Sequence, residues 1–371
     1  MIAQPALNSI ASVLTLFKDH EGLYVFDDHE AQCTNIIAIH NINLGPALGG
    51  CRRKGDYIGR WDPFFDVARL SRGMTYKAAL LGVPLGGGKS VMVPWKEAKR
   101  WRRAQFLSMG RAVESLGGKY IIAEDVGTGV DDIKTMRKVT THACGTLESH
   151  PYMGDPSPIT ALGVYHSLCA AFYFATGSRD LDGHSVYVEG IGKVGMPLAQ
   201  MLAGAGMRLH VSNRSKEASE RDALTRAQDE LRATVVNLND HGEPEHFPFV
   251  EVYAPCALGG IVNAKRMATY SSCLKVIAGS ANNVLLDPDQ DGAALMARGI
   301  VYAPDYLANN RGLWDIYNQM LGHYDLKTVE DGCKLNDNLT FELLERSRML
   351  NIPPHRVADQ MAEKIFNKKQ Q

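Results

Sequence analysis

Lys77 and Lys89 stand twelve residues apart in the stretch GMTYKAALLGVPLGGGKSV, the second directly behind Gly86, Gly87 and Gly88. Glycines let a chain run close to a ligand or to another backbone. A lysine held there can meet a small substrate, and a second ammonium nearby, together with burial, would depress its pKa. The plain alternative is a pair of surface lysines flanking a flexible loop. The phosphate-binding pattern GxxxxGK[ST] is not met. With Gly88-Lys89-Ser90 in place its first glycine would fall on Val83, and Gly82 is one residue early. A second proton-transfer candidate lies in Ala123-Glu124-Asp125, acids at the end of a β-rich run and followed by a glycine-containing loop. The competing reading is solvated acids that cap the next helix.

A third constellation is Gly190-Ile191-Gly192-Lys193-Val194-Gly195, which follows SVYVE and opens VGMPLAQMLAGAG. Strand, glycine turn and helix in this order bring a backbone close to a pyrophosphate at a helix N-terminus. A ligand-free glycine turn is the bland alternative. The next β-rich run, RLHVSN, ends at Asn213, with Arg214 and Ser215 behind it. An acid there would accept from a ribose 2′-hydroxyl, as NAD requires. Asn213 does not repel a 2′-phosphate and Arg214 can pair with one, so NADP is slightly favoured over NAD. A merely solvated Arg214 is the alternative. PCALGG (255–260) and AGSANN (278–283) should line the same crevice, with Cys256 as a small lining residue rather than a nucleophile. The twelve histidines include no HExxH or other ligand pair, so no metal is expected.

These groups need elements to hold them. Residues 35–42, NIIAIHNI, and 119–125, KYIIAED, read as strands. Asp62-Pro63 reads as a helix start with Asp62 at the N-cap, followed by apolar residues at helical spacing. GDPSP (154–158) breaks the chain before a long apolar helix, 159–176. Beyond it, SVYVEG, RLHVSN, FVEVYAP, LKVIAGSA and GIVYAPD alternate with helical or irregular stretches, the signature of a parallel, doubly wound sheet. Residues 217–248 read as helix plus loop, and the chain from 331 onward as helical.

The whole chain limits the choices further. Its 371 residues suit two or three domains, and 45% hydrophobic against 22% charged residues suits a packed core. Forty Lys and Arg against 41 Asp and Glu give a net charge of −1, which supplies no general attraction to nucleic acid or anionic membrane. Seven widely spaced cysteines without a CxxC read as reduced thiols. The N-terminus reads as a short amphipathic helix rather than a signal peptide. The longest apolar run, 161–176, is shorter than the ~20 residues of a membrane span. A cytoplasmic location without membrane or nucleic-acid partners is the expectation.

GPALGG, RGMTYKAAL, PLGGGK, AEDVGT, GDPSPITALGV, GIGKVG, PCALGG, AGSANN and YAPDY occur in this order between about residues 36 and 320. Together they resemble the Glu/Leu/Phe/Val dehydrogenases, most of all the leucine, phenylalanine and tryptophan branch. The resemblance implies NAD(P)-dependent oxidative deamination of an amino acid, and its reverse, by a homo-oligomer. It implies a two-domain α/β fold. An N-terminal substrate domain (1–150, completed by C-terminal helices 331–371) and a Rossmann-like NAD(P) domain (151–330) would have the active site in the cleft between them. It further implies that Lys77 holds the substrate α-carboxylate and that Lys89 activates water and polarises the carbonyl. Asp125 would exchange protons with the nitrogen, and Asn283 would orient the substrate. Thr160, Gly190, Ile191, Gly192, Lys193, Val194, Asn213, Arg214, Cys256, Ala257 and Asn283 would meet the cofactor.

The side-chain pocket implied by the resemblance falls on Leu48, Gly49, Ala123, Leu313 and Ile316. Glutamate enzymes of the family place a lysine at the position of Leu48. The apolar set points instead to a branched-chain or aromatic amino acid, an indole side chain included. Three positions depart from the family pattern. NAGG becomes Asn309-Asn310-Arg311-Gly312, which would add a positive charge near the pocket. GGTR becomes Gly49-Gly50-Cys51-Arg52, and the ribose-reading acid becomes Asn213. The rival readings are a non-catalytic dinucleotide-binding homologue and a biosynthetic reductase of an unusual oxo acid or amine, which Arg311 would explain.

Overall fold

A computed structural model describes residues 10–214 and 218–367 and divides the chain into two compact units. The first runs to Asp155 and adds Ile316–Tyr324 and the segment from Met361; the second comprises Pro156–Asp315 and Asp325–Gln360.

The first unit contains α1 (Ile10–Leu16), β1 (Gly22–Asp28), β2 (Cys33–Asn41), β3 (Ala47–Arg53), α2 (Asp62–Leu81), β4 (Gly86–Pro94), α3 (Lys99–Glu114), β5 (Tyr120–Glu124) and α4 (Val130–Met136). Its sheet has the order β1-β2-β4-β3-β5. The pairs β1·β2 and β2·β4 are antiparallel; β3 is parallel to both β4 and β5. One face packs on Phe106, Met109 and Val113 of α3 with Met136 of α4, burying Ile37, Ile39, Met92, Tyr120 and Ile122. On the other, Val67 and Ala68 of α2 pack with Ile36, Ala38 and Val91.

The glycine-rich stretch before Lys89, for which a flexible loop is the plain alternative, is a strand. β4 lies second from neither edge but between β2 and β3, and its glycines are there for backbone contact. A Cβ on Gly87 would lie 2.0 Å from Thr75 N of α2, and one on Gly88 would lie 2.8 Å from the Tyr120 ring. Asp62 is the first helical residue of α2 and Trp61 its N-cap; the Asp62 carboxylate accepts instead from Gly59 N–H at 2.8 Å.

The second unit contains α5 (Ser157–Thr176), β6 (Ser185–Glu189), α6 (Gly195–Gly204), β7 (Arg208–Ser212), α7 (Ala218–Leu231), β8 (Thr234–Val235), β9 (Val252–Pro255), α8 (Ala264–Met267), β10 (Val276–Ile277), α9 (Pro288–Ala297), β11 (Val301–Tyr302) and α10 (Asp305–Ala308). All strand pairs are parallel and the order is β11-β10-β9-β6-β7-β8. Numbered from β6, that is the 3-2-1-4-5-6 order of a doubly wound dinucleotide-binding sheet. The two-residue β8, which lies in a stretch read as helix plus loop, supplies its outer strand. α5 is twenty residues long and apolar enough to cross a membrane by length and composition, but half of that window is buried within the protein. It is the core helix of this unit.

The last helices are α11 (Arg311–Met320), α12 (Leu326–Cys333), α13 (Leu335–Leu350) and α14 (Pro354–Phe366). The sequence reading returns 331–371 to the first domain. The structure places only the segment from Met361 there, and 325–360 belongs to the second unit. The reason is polar as well as apolar. Asn336 of α13 donates to the carbonyls of Gly163, Leu307 and Ala308, and Thr340 donates to Ser167 of α5. All seven cysteines are free.

Candidate active site

Lys89 projects from β4 and Asp125 follows the end of β5. Their side chains meet, with Lys89 Nζ 3.2 Å from Asp125 Oδ2. β3 runs between the two strands and carries Gly49 and Gly50 at the crossing. A Cβ on Gly49 would lie 1.9 Å from Gly88 O, and one on Gly50 would lie 2.7 Å from the Asp125 Cβ. Only glycine leaves this space to the pair. Two residues further along β3, Arg52 donates from Nε to the same Asp125 oxygen at 3.0 Å. Its Nη1 donates to both oxygens of Asp66 on α2, at 3.0 and 2.9 Å, and the Tyr57 hydroxyl donates to Asp66 at 2.7 Å.

Burial by itself would raise the Asp125 pKa, but the Lys89 and Arg52 cations overcome it and bring the carboxyl to about 2. The carboxylate is therefore ionised at neutral pH in the unliganded site. The Lys89 ammonium has a carboxylate against it, where the sequence reading set a second lysine. Lys77 lies in the last turns of α2, on the helix that Gly87 contacts, and is partly exposed. Of the pocket positions in this unit, Leu48, Ala123 and Ile316 are 1%, 8% and 5% exposed. Ile316 stands over Gly145, where a Cβ would lie 3.2 Å from its Cδ1. Gly49 is buried in the β3 backbone. Arg52, Asp66 and Tyr57 escape the sequence reading; the arginine is visible there only as the last letter of GGCR.

The other expected site residues lie in the second unit, most of them after the C-terminal ends of its strands, with Thr160 in α5 and Leu313 in α11. Gly190 has a left-handed backbone, φ +98°, and a Cβ on it would lie 2.9 Å from Ala257 N, so the turn after β6 presses on the loop after β9. Cys256 N–H donates to Glu189 O at 2.8 Å, and burial raises the Cys256 thiol, in keeping with a lining role. A Cβ on Gly195 would lie 1.9 Å from Gly190 O, which ties α6 to the turn, whereas one on Gly192 would meet nothing within 4 Å. The turn thus leaves open space in front of the α6 N-terminus, the shape a pyrophosphate takes up. Ile191 is buried, Val194 partly so and Lys193 exposed. At the end of β7, Asn213 Nδ2 and Arg214 Nε are both buried donors without a partner among the described residues.

Asn283 adopts φ +53°, rare outside glycine, and its carbonyl accepts from Gly260 N–H at 2.7 Å. Asn309 Nδ2 donates to Ser280 O and Asn282 Oδ1, both at 2.9 Å, which joins the AGSANN loop to the start of α11. Thr160 faces that start, since a Cβ on Gly312 would lie 2.3 Å from its hydroxyl. Leu313 is buried in α11. Two departures from the family pattern prove to be core residues. Cys51 is fully buried and its thiol is pushed up to about 12 by burial. Arg311 is 3% exposed and donates from Nε to Asn336 at 2.7 Å, its stem against Gly163 of α5; burial lowers it to about 10. It brings its charge into the α5·α13 packing rather than to a substrate pocket.

Comparison with known proteins gives the chain's relatives. The family model for the Glu/Leu/Phe/Val dehydrogenase dimerisation domain matches residues 24–142, and that for Glutamate/Leucine/Phenylalanine/Valine dehydrogenase matches residues 155–331. The chain is 38% identical to leucine dehydrogenase of Geobacillus stearothermophilus, over 93% of this chain and 90% of that one. It is 34% identical to L-tryptophan dehydrogenase of Nostoc punctiforme, over 94% of each. The crystal structure of L-tryptophan dehydrogenase from Nostoc punctiforme superposes with a TM-score of 0.76 at 32% identity, covering 98% of this chain and 99% of that one. A hetero-hexameric glutamate dehydrogenase from Thermus thermophilus shares the fold, with a TM-score of 0.75 at 18% identity and coverage of 97% and 91%.

Proposed function

The chain belongs to the Glu/Leu/Phe/Val dehydrogenase family, and from that premise we propose that its substrate is an apolar L-amino acid, branched-chain or aromatic, with NADP favoured over NAD. The family reaction is oxidative deamination to the 2-oxo acid and ammonia, and its reverse. The observation that carries the proposal is the Lys89–Asp125 pair at 3.2 Å, in the same unit as the buried apolar residues Leu48 and Ala123. A side-chain carboxylate among such residues would be desolvated without a partner, which opposes glutamate.

A nicotinamide dinucleotide, when bound, would supply the acceptor for the hydride on the substrate Cα, so that the substrate is oxidised to its iminium. In this reading Lys77 holds the α-carboxylate. Lys89, having passed a proton to Asp125, orients the water that attacks the iminium carbon and takes up its proton. Asp125 lies within hydrogen-bond distance of Lys89, so a proton can pass between them, and it returns a proton to the departing nitrogen. Asn283 orients the substrate beside the cofactor. Gly190, Gly192 and the α6 N-terminus would hold the pyrophosphate, and Asn213 and Arg214 the ribose phosphate.

Relatives named above for leucine and tryptophan support the apolar substrate class. The match to the family's dimerisation domain supports a homo-oligomer. A cytoplasmic enzyme acting on small molecules fits the whole. Arg311, the feature that favours an unusual substrate at the level of sequence, is occupied with Asn336, so no second reading is carried forward.

Absorbance of reduced nicotinamide on mixing the protein with L-amino acids, once with NAD and once with NADP, tests the proposal. Signal with leucine, valine, phenylalanine or tryptophan, stronger with NADP, is expected. Signal confined to glutamate would overturn it. Lys89→Ala should abolish turnover and leave dinucleotide binding intact; retained turnover would remove Lys89 from the mechanism.

A further inference from the structure

Asp125 receives both of its cations on one oxygen. Lys89 Nζ stands 3.2 Å from Oδ2 and Arg52 Nε donates to Oδ2 at 3.0 Å; among the described residues no donor addresses Oδ1. Arg52 is itself held from behind. Its Nη1 bridges both oxygens of Asp66, and Tyr57 donates to the same carboxylate. The order is Tyr57, Asp66, Arg52, Asp125, Lys89, drawn from the loop after β3, from α2, from β3, from the end of β5 and from β4. The charges of the four ionised members cancel, so a neutral cluster is placed where an isolated buried carboxylate would be costly.

We propose that Arg52 is a positioning residue, anchored by Asp66 and Tyr57, which fixes Asp125 through Oδ2 and leaves Oδ1 to face the substrate nitrogen. The proposal rests on the reading of Asp125 as the proton-exchanging acid. A carboxylate gripped at one oxygen by two cations on different strands cannot rotate about χ2, and its second oxygen is the one directed away from both. The guanidinium suits this task because it donates to two carboxylates at once from separate nitrogens, which an ammonium on one stem cannot do with the same geometry.

The electrostatics agree with the geometry. Burial alone would lower Arg52, but Asp125 and Asp66 hold it further into its charged form. Burial and the Asp66 carboxylate push the Tyr57 hydroxyl up, so it stays a donor. The groups that bear on Asp125 are Lys89 from β4, Arg52 and the buried Cys51 from β3, Tyr120 from β5 and Tyr57; Glu124 precedes it in the chain, and Asp66 stands beyond Arg52. Of these, Lys89 and Arg52 lower its pKa. Removing Arg52 takes away one of two opposing charges while burial stays, so the Asp125 pKa must rise.

Arg52→Met, Arg52→Lys and Asp66→Asn test this. The readouts are the pH dependence of kcat/KM and the 13Cγ titration of labelled aspartate, with Asp125→Asn identifying the resonance. Arg52→Met should raise the Asp125 titration by about 1–3 pH units, the usual influence of one adjacent cation. Arg52→Lys should recover part of that shift. Asp66→Asn should lower kcat at least fivefold without raising the titration and without changing dinucleotide affinity. An Asp125 resonance that titrates as in the parent after Arg52→Met overturns the proposal, as does an Asp66→Asn protein indistinguishable from the parent in kcat. If Arg52→Met does not fold, Asp66→Asn alone decides by the same criterion. The titration needs no turnover, so it separates failure of this inference from failure of the functional reading, which Lys89→Ala reports.

Discussion

Arg214 leans on Gly242, where a Cβ would lie 2.9 Å from its Nε, and that nitrogen is buried without an acceptor among the described residues. Asn213 beside it turns its Oδ1 to Arg214 N–H and leaves Nδ2 without a partner. Two unsatisfied donors at the end of β7 are a cost unless an acceptor arrives, and a 2′-phosphate supplies one. A hydrogen bond to a charged group is worth about 1.5–3 kcal/mol, so Arg214→Ala should cut kcat/KM with NADP by about 10- to 100-fold and spare NAD. Asn213→Asp should reverse the preference. Steady-state kinetics with both cofactors checks this, and equal losses with both would remove Arg214 from phosphate recognition. The residue types at this strand end could be read from the sequence because the fingerprint fixes where the second strand stops. Arg52 and Asp66 could not, since fourteen residues and a helix start separate them and only the placement of α2 against β3 brings them together.

Among the elements, β4 and α11 depend most on packing between distant segments. Three glycines in a row suggest a loop, yet β4 is flanked by strands on both sides because small residues are what α2 and β5 side chains leave room for. α11 begins with Arg311 where a family member would carry glycine, and the compensation is on another helix. Gly163 of α5 leaves space for the Arg311 stem, and Asn336 of α13 accepts its Nε–H. A methyl at residue 163 would lie 2.5 Å from Arg311 Cγ and 2.7 Å from its Cβ. Gly163→Ala should therefore destabilise the protein by about 1–3 kcal/mol, the usual range for overpacking a filled site. A denaturant titration measures it. Unchanged stability would mean that α11 moves freely against α5.

Over the whole molecule, the two units carry different parts of the proposed reaction: the lysine and carboxylate pair in the first, the dinucleotide cradle in the second. A ligand that binds the folded second unit stabilises it by mass action, about 2.7 kcal/mol at a hundredfold excess over Kd. Thermal unfolding with saturating NADP should show a rise in midpoint that Lys89→Ala retains, because Lys89 is outside the cradle. A rise lost in that variant would tie the lysine to cofactor binding rather than chemistry. The stretch 325–360 joins the second unit, against the sequence reading, through Asn336 and Thr340 on α5. Amphipathic pattern says that a helix will pack, but not on which partner.

The amino-acid sequence by itself determined the glycine turn between β6 and α6, the alternation that makes a doubly wound sheet, and the residue types at strand ends. Each of these depends on neighbours a few positions away, where backbone sterics and periodicity act. Tertiary structure alone decided that Lys89 is met by Asp125, that Arg52 bridges to Asp66, and that Arg311 is a core residue. Those outcomes depend on strand register and helix docking between distant segments, where charge pairing in a desolvated site selects among partners that the local sequence leaves equal.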